Sequence, residues 1–186
     1  MIAPHIEHSR GFLEAWNTYR SAPPTSLLDL GSGGGIPGLV LAEAWACPTV
    51  LLDAMEKRCR SLREYLAYEG APQAVRVVCG RAEELARDRD LERSSELLVM
   101  RSFGPPSAAA ECAARFVATG GLIIVSEPPL EESELRWDGE GLNTLGLRLL
   151  GAVTTSYRFV VIEKVAETSE LYPRRNGLPT KRPLWA

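Results

Sequence analysis

The sequence predicts a doubly wound α/β fold, and three observations carry that prediction. Strand-like runs alternate with helical runs from residue 26 to residue 126, a glycine-rich stretch directly follows the first strand-like run, and two late strand-like runs are joined by only "TTS". Strands that alternate with helices pair in parallel through right-handed crossovers, with helices covering both faces of the sheet. Two strands on a very short connection pair antiparallel instead. The expected sheet is therefore mostly parallel and finishes in a hairpin.

Taken in order, residues 9–20 read as a helix, and "APPT" then breaks the chain because paired prolines withhold the donors a helix needs. The parallel strands are expected at Ser26–Leu30, Thr49–Asp53, Arg76–Cys79, Leu97–Arg101 and Gly121–Ser126. In the helix after the second strand, Met55, Cys59, Leu62 and Leu66 recur at helical spacing and predict one buried stripe, with Lys57, Arg58, Arg60 and Arg63 mostly outside it. Gly70 suits the stop of that helix. Residues 83–96 form a highly charged helix or loop, and "PPLEESELRWDGEGLN" an irregular acidic connection. "LGLRLLGAV" and "YRFVVIEKV" are the arms of the hairpin. With 186 residues the chain is expected to be a single domain, 1–186, opened by a short helical segment (1–24) and closed by a basic tail (172–186).

Composition narrows the function. A chain that is 45% hydrophobic and 24% charged is typical of globular domains, and no apolar run approaches the roughly 20 residues of a membrane span. Neither a membrane span nor a secretory signal is visible. Cys47, Cys59, Cys79 and Cys112 lack CxxC spacing, which points to free thiols in a reducing compartment and hence to the cytoplasm. His5 and His8 have HxxH spacing without a third ligand, so no metal is expected, and both read as fraying surface residues. A net charge of −3 argues against gripping nucleic acid with the whole surface, yet "YPRRNGLPTKRPLWA" is locally basic and contains no acid.

The stretch "LLDLGSGGGIPGLVLAEAW" places its glycines between a strand and a helix, where open α/β sheets bind nucleotide-like ligands against bare main chain. Pro37 suits the first helical position. A phosphate-binding P-loop is excluded, because no Lys-Ser or Lys-Thr follows the glycines. The dinucleotide pattern GxGxxG is formally present as Gly33, Gly35 and Gly38. S-adenosylmethionine is favoured over it by Asp29, two residues before Gly31, since a carboxylate there can meet an ammonium group and would repel a pyrophosphate. Asp53, at the end of the second strand, is placed to accept both ribose hydroxyls.

"DLGSGGGIPG" resembles one family, the bacterial GidB or RsmG proteins, and the likeness continues through "LLDAMEKRCRSLREY", "GRAEEL", "MRSF", the glycine pair before the fifth strand and "YPRRNGLPTKRPL". The resemblance implies a Rossmann-like class I methyltransferase fold with a seven-stranded sheet. It also implies transfer of a methyl group from S-adenosylmethionine to N7 of a guanosine in small-subunit ribosomal RNA, with that RNA or the small ribosomal subunit as partner. By the same resemblance Gly31, Gly33, Gly35 and Ile36 line the methionine half of the cofactor, Asp53, Ala54 and Met55 hold the ribose and adenine face, Ala82 and Glu83 meet the adenine edge, and Arg101 sits beside the transferable methyl as the catalytic candidate. Arg174, Arg175, Lys181 and Arg182 are the candidates for RNA phosphate. One departure stands out: where the family usually has lysine after the fifth strand, this chain has Glu127. An anion there leaves open a diverged methyltransferase acting on a small molecule or another RNA, or a cofactor-binding protein without transfer activity. The segment before the first strand is also shorter than the family's usual one.

Overall fold

A computed structural model describes residues 3–128 and 136–185. Its helices are α1 (Ala3–Tyr19), α2 (Gly38–Trp45), α3 (Glu56–Leu66), α4 (Ala82–Leu85), α5 (Pro106–Ala113), α6 (Gly139–Thr144) and α7 (Leu178–Lys181). Its strands are β1 (Leu27–Leu30), β2 (Thr49–Asp53), β3 (Val75–Cys79), β4 (Ser95–Arg101), β5 (Val117–Glu127), β6 (Leu147–Thr154) and β7 (Arg158–Lys164).

All seven strands form one sheet in the order β3-β2-β1-β4-β5-β7-β6. β1 to β5 are parallel, while β7 runs antiparallel to both β5 and β6. The hairpin thus returns its second arm to the inside of the sheet. The central strands read as unbroken apolar runs because helices cover both of their faces. On one face Phe12, Trp16 and Leu41 from α1 and α2 pack against Leu27, Val99, Ile124 and Phe159. On the other, the alanines of α5 together with Phe116 and Leu142 pack against Leu30, Leu52, Met100 and Ile162.

Several expectations are corrected. α1 begins at Ala3, and His8 is a buried residue ringed by Phe12, Tyr157 and Phe159, with Nε2 2.7 Å from Ser126 Oγ. In α3 only Cys59 and Leu62 are buried; Met55 is the half-exposed residue before the helix, because the chain there turns to hydrogen-bond Asp53. Pro37 is the residue flanking α2 rather than its first turn. Within the expected acidic connection, residues 129–135 lie outside the described residues, and Gly139–Thr144 is helical, capped by the Asp138 carboxylate accepting from Gly141 N–H at 2.6 Å.

Candidate functional site

The carboxyl ends of β1, β2 and β4 converge on the glycine turn. Gly31 (φ +78°) sends its N–H to Leu52 O at 2.8 Å, and Ser32 does the same at 3.0 Å, so the turn is pinned across the end of β2. A Cβ on Gly31 would lie 2.8 Å from the Phe103 ring. Glycine is required there both for the left-handed backbone and for that contact. A Cβ on Gly38 would lie 2.4 Å from Leu51 Cδ2 and 2.7 Å from Asp29 Oδ2, so the start of α2 is free of side chain in order to reach Asp29.

Asp29 is 1% exposed. Its Oδ2 accepts from Gly38 N–H at 2.8 Å, and its Oδ1 is buried with no partner among the described residues. Burial pushes its carboxyl up to about 7, against the Gly38 hydrogen bond that favours ionisation. Asp53, 4% exposed, ends β2. Its Oδ1 accepts from Met55 N–H at 2.8 Å, while its Oδ2 accepts from Gly33 N–H at 2.9 Å and lies 3.4 Å from Arg58 Nη1. Three of the roughly four acceptor positions of that carboxylate are therefore engaged within the protein.

A cavity of about 360 Å³ opens at these strand ends, and Gly31, Asp53, Ala54, Met55, Ala82 and Glu83 all line it. Sequence reasoning named each of them. It did not single out Phe103, Cys112 or Thr180, which also line the cavity. A neighbouring cavity of about 1200 Å³ lies over α2 and α3, is lined by Gly33 and Ile36, and shares Met55 and Arg58 with the first. Only the smaller one is framed by the strand ends. Gly35 lines neither: its missing side chain makes room for Leu39 and Leu62. Asp29 also lines neither, lying beneath the turn rather than in the open cavity.

Arg101 ends β4 on the α1 side of the sheet, where its Nη2 donates to His5 Nδ1 at 2.8 Å. It lines neither cavity. Burial, with Arg101 and His5 nearby, holds His8 down to about 4, so that ring is neutral. Glu83 is buried in the first turn of α4. It is 6% exposed, and its Oε1 accepts from Gly177 N–H at 2.9 Å and from Arg81 at 3.1 Å. Its carboxyl is lowered: burial, the largest influence, opposes ionisation, and the hydrogen bonds from Gly177 and from its own backbone, with the Arg81 contact, overcome it.

The basic tail divides. Arg174 is turned inward, its Nε and Nη2 gripping the fully buried Glu111 at 2.9 and 2.6 Å, with 24% of its side chain left exposed. Arg175, Lys181 and Arg182 are exposed. Glu127 is not a bare anion: its Oε2 lies 2.6 Å from Arg136 Nη1, and its Oε1 accepts from Trp137 Nε1 at 3.3 Å. Its carboxyl is raised by burial, which the Arg136 charge opposes. Among the described residues no group of three His, Cys, Asp or Glu could hold a metal ion, and no helix is long and apolar enough to cross a membrane.

This strand order, with its glycine turn and inserted antiparallel β7, is the Rossmann-like class I methyltransferase fold. Solved structures share it: the antibiotic-resistance methyltransferase Kmr superposes with a TM-score of 0.62 at 18% identity, covering 84% of this chain and 93% of that one. A variant of MtNAS in complex with S-adenosylmethionine superposes at 0.62 with 14% identity, over 89% of this chain and 63% of that one. The sequence is more specific than the fold. The family model GidB, described as rRNA small subunit methyltransferase G, matches residues 1–155. Ribosomal RNA small subunit methyltransferase G of Moorella thermoacetica is 32% identical over 170 residues, spanning 87% of this chain and 70% of the relative. The chain belongs to the GidB family of methyltransferases.

Proposed function

We propose that this chain transfers a methyl group from S-adenosylmethionine to N7 of a guanosine in small-subunit ribosomal RNA, in the cytoplasm. The observation that carries the cofactor reading is Asp29 Oδ1, a buried acceptor with no partner among the described residues, beneath a glycine-rich turn. Such an atom is costly to leave unmet, and a cationic group approaching the turn would compensate it. The cavity volume of about 360 Å³ falls within the range of small-ligand sites, roughly 300–1,000 Å³. Gly31 and Asp53 would hold the ribose and methionine side, Ala82 and Glu83 the base. Bound there, the cofactor would supply an electrophilic methyl carried on a sulfonium.

Guanine N7 bears a lone pair and no proton, so the protein has no proton to remove. Its residues have two tasks, alignment of the acceptor and exclusion of water. Phe103, packed on Gly31, suits the second. Arg101 ends β4, held by His5 on the α1 side of the sheet, and would meet an acceptor base that approached from that side. The acidic residue at 127 gives no support to a different substrate class, since Arg136 neutralises it.

Calorimetry of the full chain with S-adenosylmethionine and with NAD tests the cofactor. Methylation of small subunits purified from a strain lacking this modification tests the acceptor, and mapping of the product tests the N7 position. NAD binding without binding of the sulfonium compound would refute the reading.

A further inference from the structure

The segment from Glu170 to Trp185 is fastened to the base-side wall of the cavity. Arg87 Nη2 donates to Glu170 O at 3.0 Å and to Pro173 O at 2.8 Å, Arg174 grips Glu111, Asn176 donates to Glu84, Gly177 N–H donates to Glu83, and Leu184 N–H donates to Ser107 Oγ at 2.7 Å. Glu83, Glu84, Ser107 and Glu111 belong to α4 and α5, whose Ala82, Glu83, Ala108 and Cys112 line the cavity. The segment supplies a wall residue of its own, Thr180. Thr180 lies within one helical turn that begins at Gly177, closed by Lys181 N–H to Gly177 O at 3.1 Å and Arg182 N–H to Leu178 O at 2.9 Å. That turn therefore joins three things rigidly: the Glu83 latch, the cavity wall, and the exposed Lys181 and Arg182, with exposed Arg175 just before it.

We propose that this C-terminal strap is a shared wall, docked by cofactor from inside and by RNA phosphate from outside, so that each ligand strengthens binding of the other. The inference rests on the reading that the cavity takes S-adenosylmethionine. Thr180 can contact a ligand in the cavity only while the strap is docked, and phosphate held by Arg175, Lys181 and Arg182 as one cluster favours the same docked arrangement. Two ligands that prefer one state are coupled, and the coupling is reciprocal. Acids do not interrupt this cluster, since none occurs from residue 172 to the end of the sequence.

Gly177→Ala isolates the strap. A Cβ at Gly177 meets nothing within 4 Å among the described residues, so the variant adds no clash with them and strains a backbone at φ +74°. It should bind S-adenosylmethionine several-fold more weakly than wild type, because the apparent affinity scales with the docked fraction. A single-stranded oligoribonucleotide probe at low salt should recover most of that loss. The recovery should vanish when Arg175→Ala, Lys181→Ala and Arg182→Ala are added. Hydrogen exchange on the wild-type chain supplies a measurement independent of the variant: cofactor alone and RNA alone should each slow exchange at the Gly177 amide. Wild-type cofactor affinity in Gly177→Ala, a deficit that RNA leaves unchanged, or Gly177 exchange indifferent to bound cofactor would overturn the proposal while leaving the cofactor reading intact. Absence of cofactor binding to wild type would instead sink that reading, and the coupling with it.

Discussion

Arg174→Ala gives the sharpest separation between a tail that binds RNA and a tail that holds the fold. Glu111 is 0% exposed, and the four hydrogen bonds recorded to its carboxylate all come from Arg174: from its backbone N–H, twice from Nε and once from Nη2. The substitution keeps the backbone donor and removes the only charge that compensates the carboxylate among these contacts. Removing one partner of a buried pair costs about 3–5 kcal/mol, because the remaining charge is uncompensated. For a chain of this size each kcal/mol lowers Tm by roughly 2–4 °C, so a loss of about 6–20 °C is expected by calorimetry or by thermal unfolding followed with circular dichroism. Arg174→Lys should fall between, since it keeps the charge and loses the fork. Replacing both partners, Glu111→Leu with Arg174→Met, should recover most of the stability, as apolar replacements of buried pairs commonly do. A Tm within about 2 °C of wild type for Arg174→Ala, with a shallower salt dependence of RNA binding, would refute the reasoning and return Arg174 to the phosphate-binding set.

Four further outcomes follow from the same geometry. Asp29 has a folded pKa of about 7, above its ordinary value of 3.8, so the fold favours the neutral acid; its contribution is present in full below about pH 4 and is lost as pH rises through 7. Asp29→Asn should flatten urea-unfolding stability between about pH 4 and 7 while weakening S-adenosylmethionine, and a variant that binds cofactor as wild type does would remove Asp29 from that role. Gly38→Ala drives a methyl to within 2.7 Å of Asp29 Oδ2 and 2.4 Å of Leu51, and should cost roughly 1–3 kcal/mol in denaturant unfolding. Glu127→Lys restores the family's usual residue but breaks the pair with Arg136 at 2.6 Å, so a loss of roughly 1–3 kcal/mol is expected instead of a gain in activity. Alanine at Arg175, Lys181 and Arg182 together should reduce the slope of log K against log salt for single-stranded RNA by about 2, at roughly 0.7 per phosphate contact, with Tm unchanged.

The sheet was legible because its strands are buried on both faces and so appear as near-continuous aliphatic runs: "LLDL", "VLLD" and "ELLVM" are β1, β2 and β4 within a residue or two. The cavity was legible because chemistry at the end of a parallel strand is local in sequence, so Gly31 and Asp53 could be placed by counting from their strands, while Ala82 came from the family resemblance. Contacts that close over long separations left no such trace. The Glu83 bond to Gly177 spans 94 residues, and the His8 contact with Ser126 spans 118, so a carboxylate and an imidazole that look solvated in sequence are buried in the fold. The division within the basic tail was hidden for a related reason: a run of cations carries no period that separates the inward Arg174 from the outward Arg175.

Glu127 shows how a local charge argument changes once partners are known. As a bare anion in place of a lysine, it would repel RNA phosphate and shift the substrate reading away from nucleic acid. With Arg136 at 2.6 Å and Trp137 on its other oxygen, the pair contributes no net charge, so the departure subtracts a cation without adding repulsion. The positive potential for a phosphate backbone would then come from elsewhere: from the exposed Arg175, Lys181 and Arg182 of the strap and from the exposed Lys57, Arg58 and Arg60 of α3, of which Arg58 lines the cavity. On the proposed reading, a lost contact near the acceptor and a basic strap on the cavity wall belong to one account, in which RNA would be gripped at the strap and its base aligned at the strand ends.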